Sequence, residues 1–257
     1  MLELKDIHKT YNPGTVQEQC LFSGFSLTIP DEQFVSVVGS NGSGKTSMLN
    51  LICGSIEPDA GQILMDGRDI KKDKEFVRAR QIGRVYQNPS MGTCAQMTIL
   101  ENLSLADFKG KHAGLQLGTD RRRIDHYKAL LQPLGLGLED MLHARVGSLS
   151  GGQRQALALL MSTMTPISFL ILDEHTAALD PKTADVIMAL TDKIVREKRL
   201  TAIMVTHNLR YAVEYGDRIL MMHQGHAVLD KADQEKQAVR IEDLLKIFNE
   251  ISIECGN

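Results

Sequence analysis

Gly39, Ser40, Asn41, Gly42, Ser43, Gly44, Lys45 and Thr46 have the types and the order needed to wrap a chain of phosphates. The glycines let consecutive backbone N–H groups turn inward around phosphate oxygens. Lys45 brings a full positive charge to the β- and γ-phosphates, and the Thr46 hydroxyl can ligate Mg²⁺. The pattern GxxxxGK[ST] predicts a bound nucleoside triphosphate when a strand precedes it and a helix follows. A helix start there adds unsatisfied N–H groups and the positive end of its dipole.

A second candidate is the apolar run Phe169, Leu170, Ile171 and Leu172, which ends in the adjacent acids Asp173 and Glu174. Neighbouring carboxylates repel each other unless a cation or a substrate uses them. Asp173 suits a Mg²⁺-associated carboxylate. Glu174, expected to point the other way along the strand, suits the base that polarises an attacking water. The plainer alternative is a strand running out into solvent. A third segment is Leu149, Ser150, Gly151, Gly152 and Gln153. It reads as a second small-residue helix start, with a Ser hydroxyl and exposed N–H groups, and hence a second anion site. Two such helix starts with only one lysine-bearing loop suggest a site shared between two copies of the chain.

These segments need an α/β frame. Phe34, Val35, Ser36, Val37 and Val38 read as a short buried strand running into the glycines, with a helix beginning near Lys45. Ala202, Ile203, Met204 and Val205 form another such run, and Leu2, Leu4 and Ile7 mark an opening strand. Short β-rich runs alternating with longer helical patterns predict an α/β fold on a mostly parallel sheet. Ligands bind such sheets at the carboxyl ends of the strands. From Gln87 to Gln132 the pattern turns helical: Thr98 to Phe108, a break at GKHAGLQLG, then Arg121, Arg122 and Arg123. This reads as a helical subdomain inserted into the sheet domain, with the arginines on a solvated face. Ile241, Leu244, Leu245, Phe248 and Ile251 recur at helical spacing and predict an amphipathic helix docked on the body.

Composition narrows the function classes. The 257 residues carry 29 Lys plus Arg against 32 Asp plus Glu, a net charge of -3. That balance lacks the positive field that drives phosphate-backbone binding and argues against nucleic acid as a partner. No run reaches the roughly 18 apolar residues of a membrane span. The N-terminus MLELKDIHKTYNPGT alternates apolar and charged residues, unlike a signal segment. Cys20, Cys53, Cys94 and Cys255 lie far apart without a CxxC pair, which argues for a reducing cytosol over a disulfide or metal framework. His223 and His226 have a metal-compatible spacing, but Gln224-Gly225 between apolar runs predicts a hairpin turn instead. The 12 methionines suit adaptable core filling or a groove for a partner helix.

The phosphate loop, LSGGQ and the LILDE strand, in that combination, resemble the ATP-binding subunit of ABC transporters from Leu2 to about Asp230. The resemblance implies one ABC ATPase domain over 1–257, with a P-loop NTPase core at 1–86 and 161–230. It further implies an N-terminal antiparallel β portion, an inserted helical subdomain at about 87–160 and a C-terminal helix at about 239–252. Tyr11 would stack on adenine, although an aromatic near a first strand is often simply core. Ser47 joins residues 39–46 in the ATP-binding set. Gln87, in VYQNP, would touch Mg²⁺ and the attacking water and sense the membrane partner. Thr46, Gln87 and Asp173 would hold the metal. His207, in MVTHN, would hold the γ-phosphate and orient Glu174 and the water.

In that family two subunits sandwich two ATP molecules head to tail. Ser150, Gly151, Gly152, Gln153 and Asp180 would therefore act in trans on the partner's nucleotide. The resemblance also implies integral membrane permease subunits, an extracytoplasmic solute-binding protein and a place on the cytoplasmic face of the membrane. DEHTAALDPKTA and LTAIMVTHNLRYAVEYGDRILMMHQG look like ATPases of tryptophan/tyrosine-type uptake systems. An exporter subunit and a soluble ABC-type ATPase, such as an iron–sulfur assembly factor, are the rival readings. Three departures mark a subfamily: His175 where proline usually follows the glutamate, RQALALLMST after the signature, and Ala177-Ala178.

Overall fold

The computed structural model describes residues 1–111, 118–119 and 121–254. Most of the GKHAGLQLG segment and Cys255 lie outside them. The chain begins with β1 (Leu2–Tyr11), β2 (Gln19–Ile29), β3 (Phe34–Gly39), α1 (Lys45–Cys53), β4 (Ala60–Met65), β5 (Arg68–Asp69) and α2 (Glu75–Arg78). It continues with β6 (Ile82–Val85), α3 (Ile99–Asp107), α4 (Ile124–Leu131), α5 (Gly151–Thr163), β7 (Phe169–Asp173) and α6 (Pro181–Glu197). The last part holds β8 (Thr201–Val205), α7 (Leu209–Glu214), β9 (Arg218–His223), β10 (His226–Ala232), α8 (Asp233–Ala238) and α9 (Ile241–Glu254). These elements form two compact units, Met1–Ala79 with Arg199–Asn257, and Arg80–Lys198.

In the first unit β1 pairs antiparallel with β2 and β4, and β4 with β5. Leu2, Leu4 and Ile7 are the buried side chains of β1. Their spacing slips by one because Asp6 sits at φ 50 and the ladder shifts register between Leu4 and Ile7. Such a bulge turns the next side chain to the same face. Beside this sheet, β3 pairs parallel with β8 and with β9, and β9 pairs antiparallel with β10. All six residues of β3 and all five of β8 are buried, as parallel strands covered on both faces must be. The one polar side chain within β3, Ser36, donates to the Tyr215 carbonyl at 3.0 Å. The amphipathic α9 sets Leu244, Ile247, Phe248 and Ile251 against Val38, Ala212, Ile219 and Met221.

In the second unit β6 runs parallel with β7. Gly83 sits where a Cβ would fall 2.6 Å from the Ser162 carbonyl, so α5 closes directly onto β6. Thr98 caps α3 through a capping box with Glu101, which stops the helix one residue short of its expected start. Arg123 is more than a solvated face: it forms an ion pair with Asp107 at the end of α3 and lies over the Tyr127 ring. Among the described residues, no helix is long and apolar enough to cross a membrane.

Candidate functional site

The phosphate loop joins β3 to α1, the strand–loop–helix setting that its sequence requires. Lys45 is only 5% exposed. Its ammonium donates to the Gly39 carbonyl at 2.7 Å and the Ser40 carbonyl at 2.8 Å, which draws the loop around a buried charge. Gly44 caps α1 at φ 103, a left-handed conformation suited to glycine, and makes no side-chain cap to the helix. A Cβ on Gly39 would meet the Met222 carbonyl at 2.3 Å. The far end of α1 is closed by Arg78, whose guanidinium donates to the Leu51 and Ile52 carbonyls at 2.6 and 3.0 Å. Burial lowers the pKa of that guanidinium. A cation there complements the negative end of the helix dipole.

Tyr11, at the end of β1, donates its hydroxyl to Ser47 Oγ at 3.1 Å. The ring therefore stands beside the first turn of α1. The His223–His226 segment forms the turn between β9 and β10, with Gln224 at φ 43 and Gly225 at φ 78. Positive φ at both central residues is the hairpin geometry that matches strand twist. This turn also supports the loop, because the Gly225 N–H donates to the Ser43 carbonyl at 3.0 Å. His207 follows β8 and is exposed, and the next residue, Asn208, caps α7. Asn41 and Gly42 are exposed on the loop, and Thr46 is exposed in the first turn of α1.

The second unit positions the remaining candidates. β7 ends at Asp173, which is bound by Arg84 at 2.7 Å from the neighbouring strand β6. Glu174 lies one residue beyond the strand, at φ 47. A turn follows, in which the Ala177 N–H donates to the Glu174 carbonyl at 2.9 Å. The next residue, His175, is 2% exposed, and burial pushes its pKa down to about 4, so the ring is neutral. Gln87 follows β6 and is exposed. The Gln155 amide, buried in α5, donates to the adjoining Tyr86 carbonyl at 3.2 Å.

The LSGGQ segment opens α5 as a capping box. Ser150 Oγ accepts from the Gln153 N–H at 3.2 Å, and Gln153 Oε1 accepts from the Ser150 N–H at 3.1 Å. The Ser150 hydroxyl proton keeps its freedom to donate. A Cβ on Gly152 would sit 2.4 Å from Thr183 Cγ2, so the glycine allows α5 to pass close to α6. Asp180 caps α6 by accepting from the Thr183 N–H at 3.1 Å. Hydrogen bonds from the Thr183 side chain and backbone hold its carboxyl below the usual range.

Sequence reasoning missed Arg84, Gln155, the supporting role of Gly225, and Thr191 of α6, whose hydroxyl lies 3.1 Å from His175 Nε2. Gln155 and Gly225 each had a weak local signal: an amide in an apolar helical face, and a turn glycine. The Arg84–Asp173 pair spans 89 residues, and no local pattern announces it.

A glycine-walled loop closed on a buried lysine between a parallel strand and a helix defines a P-loop nucleotide-binding protein. Residues 22–177 match the family model described as ABC transporter. The chain is 46% identical over 248 residues to the tyrosine transport ATP-binding protein of Clostridioides difficile (strain R20291), covering 96% of this chain and 98% of that protein. It is 32% identical to the phosphonates import ATP-binding protein PhnC of Alcaligenes faecalis, covering 90% of this chain and 82% of that protein. Among solved structures, it matches the dimeric post-hydrolysis state of the ATP-binding cassette MJ0796 bound to ADP and Pi with a TM-score of 0.75. That match is 29% identical and covers 90% of this chain and 98% of that one. The chain belongs to the ABC transporter family as an ATP-binding subunit, an ATP hydrolase associated with transport.

Proposed function

We propose that the chain is the energy-coupling ATPase of an importer, working as a head-to-tail homodimer on the cytoplasmic face of a membrane permease. The solute class is an aromatic amino acid of the tyrosine or tryptophan type, delivered by an extracytoplasmic solute-binding protein. The observation that carries this reading is identity of 46% along nearly the full length of a tyrosine transport subunit. The PhnC relative, whose name also specifies import, supports the direction of transport. The exporter and iron–sulfur readings have no comparable support.

In this reading residues 39–47 hold the triphosphate, with Lys45 on the β- and γ-phosphates and Tyr11 against adenine. Glu174 takes the role of base: its carboxylate accepts a hydrogen bond and then a proton from the attacking water. The water oxygen bonds to the γ-phosphorus, and the bond to the bridging oxygen breaks with ADP as the leaving group. His207 holds the γ-phosphate and orients that water, and Gln87 reports the state of the site to the permease. Ser150, Gly151, Gly152, Gln153 and Asp180 complete the partner's site. The free Ser150 proton and the N–H groups of α5 are aimed at phosphate oxygens there. Catalysis is mainly positioning and electrostatics.

The expected metal is Mg²⁺, and Thr46, Gln87 and Asp173 are hydroxyl, amide and carboxylate oxygens, the donors a hard cation selects. Among the described residues no group of three or more His, Cys, Asp or Glu gathers into a cage. When bound, Mg²⁺ offsets charge on the phosphate oxygens.

The test is affinity capture of Glu174→Gln, loaded with ATP, from solubilised native membranes. Turnover is expected to fall at least about 100-fold with binding retained. A polytopic permease and a binding protein for aromatic amino acids are expected to co-purify. Capture of soluble partners only, in repeated trials, would remove the transporter assignment.

A further inference from the structure

His175 stands where the family usually has proline, directly after the residue assigned as base. A proline there would restrict the backbone covalently: its ring fixes its own φ and clashes with the residue before it. Histidine imposes neither restriction. Glu174 nevertheless sits at φ 47, a conformation that a residue with a side chain adopts only when its surroundings hold it there.

The structure supplies a holding contact. His175 Nε2 lies 3.1 Å from Thr191 Oγ1, and both side chains are buried, at 2% and 0% exposure. Thr191 Oγ1 is itself 2.7 Å from the Ile187 carbonyl. A carbonyl can only accept, so the single hydroxyl proton of Thr191 goes to Ile187. The hydroxyl oxygen is then left as an acceptor, and Nε2 must carry the imidazole proton. The bond has one direction and one tautomer. Thr191 belongs to the 17-residue helix α6, whose first turn is capped by Asp180. The turn beginning at Glu174 is therefore pinned to the body of α6, as well as leading to its start.

We propose that His175 is a positioning residue for the hydrolysis reaction. Its buried Nε2–H···Oγ1 bond to Thr191 holds the Glu174 turn in the orientation that proline enforces elsewhere by its ring. The inference rests on Glu174 being the base. A misplacement of a catalytic group by a fraction of an ångström lowers kcat while leaving binding of the substrate intact. A histidine that merely fills the core would give a different result, with stability falling and the turnover of the folded fraction unchanged.

The experiment measures ATP turnover and folded fraction in full-length His175→Phe, Thr191→Val, the double variant and His175→Gln, with Glu174→Gln alongside. His175→Phe and Thr191→Val each break the bond from one side, so either can answer if the other does not fold. Each is expected to lower kcat about tenfold per folded molecule, with KM for ATP within about twofold. The double variant should fall no further than the single ones, because one bond is broken once. His175→Gln, whose amide N–H can reach Thr191, should recover most of the loss. Unchanged kcat per folded molecule in both single variants, or multiplying losses in the double variant, would overturn the positioning role. If Glu174→Gln itself retains turnover, the base assignment fails and this inference falls with it.

Discussion

Replacing Gly225 by alanine should loosen the phosphate loop from behind, at a site that touches no nucleotide. The residue sits at φ 78, where an alanine costs about 1–2 kcal/mol. Its Cβ would fall 1.7 Å from the Leu21 carbonyl oxygen, inside any real contact distance. Backbone must shift to relieve that overlap, and overpacking of this kind costs about 1–3 kcal/mol. Retreat of the hairpin lengthens the 3.0 Å bond from the Gly225 N–H to the Ser43 carbonyl. That bond is worth about 0.5–1.5 kcal/mol. The combined destabilisation is about 3–6 kcal/mol, and for a chain of this size the melting temperature should drop by about 6–12 °C.

A matched control exists in the same unit. Gly67, in the turn between β4 and β5, also has φ 78 and follows a residue of positive φ, Asp66, but a Cβ there meets nothing within 4 Å. Gly67→Ala should therefore lose only the conformational cost, or about 2–4 °C. Thermal melts of both variants, with fluorescent-nucleotide titrations, make the comparison. Gly225→Ala should also weaken ATP binding about 2- to 10-fold through Ser43, and Gly67→Ala should leave it unchanged. Equal melting temperatures for the two variants would refute the close-approach argument. Unchanged nucleotide affinity in Gly225→Ala would refute the support given to the loop.

Two other perturbations test the second unit. Arg84→Met removes the guanidinium from Asp173 and from the face of Tyr86, 4.7 Å away, and should cost about 2–4 kcal/mol by urea denaturation. Arg84→Lys should recover only part, since an ammonium lacks the planar face, and a loss under about 0.5 kcal/mol in Arg84→Met would show the pair to be idle. Asp107 gives a pH signature. Burial pushes its carboxyl up, but hydrogen bonds from Lys111 and Arg123 outweigh this and hold the pKa below its ordinary value. A depressed carboxylate stabilises the fold above the unfolded pKa and loses that contribution as pH falls through the folded one. The denaturation midpoints of the native chain and Asp107→Asn should therefore differ at pH 7, with a gap that starts to narrow near pH 4 and closes only as pH falls through the lowered folded pKa; a gap that does not narrow below about pH 4 would reject the assignment.

Local chemistry was legible in the sequence. The order of glycines, lysine and threonine in residues 39–46 states its own backbone requirement, and the flanking apolar run and helical pattern supply the strand and helix. LSGGQ is a serine followed three residues later by glutamine, which is a capping box by spacing alone. The turn at Gln224-Gly225 and the amphipathic pattern of α9 were readable for the same reason: a few neighbouring residues decide each of them.

Which distant groups meet is settled by packing, not by any local pattern. Arg84 reaches Asp173 because β6 and β7 run parallel and in register, and Gln155 reaches Tyr86 across 69 residues because α5 packs onto that pair. Glu174 lies one residue past β7 at φ 47, and the His175 side chain that follows it meets Thr191 of α6, neither of which period-two reasoning along β7 could show. Sequence patterns record periodicity and turn chemistry over a few residues. Register between strands and the close approach of helices are set by packing of the whole unit, and these bring Arg84 to Asp173 and His175 to Thr191.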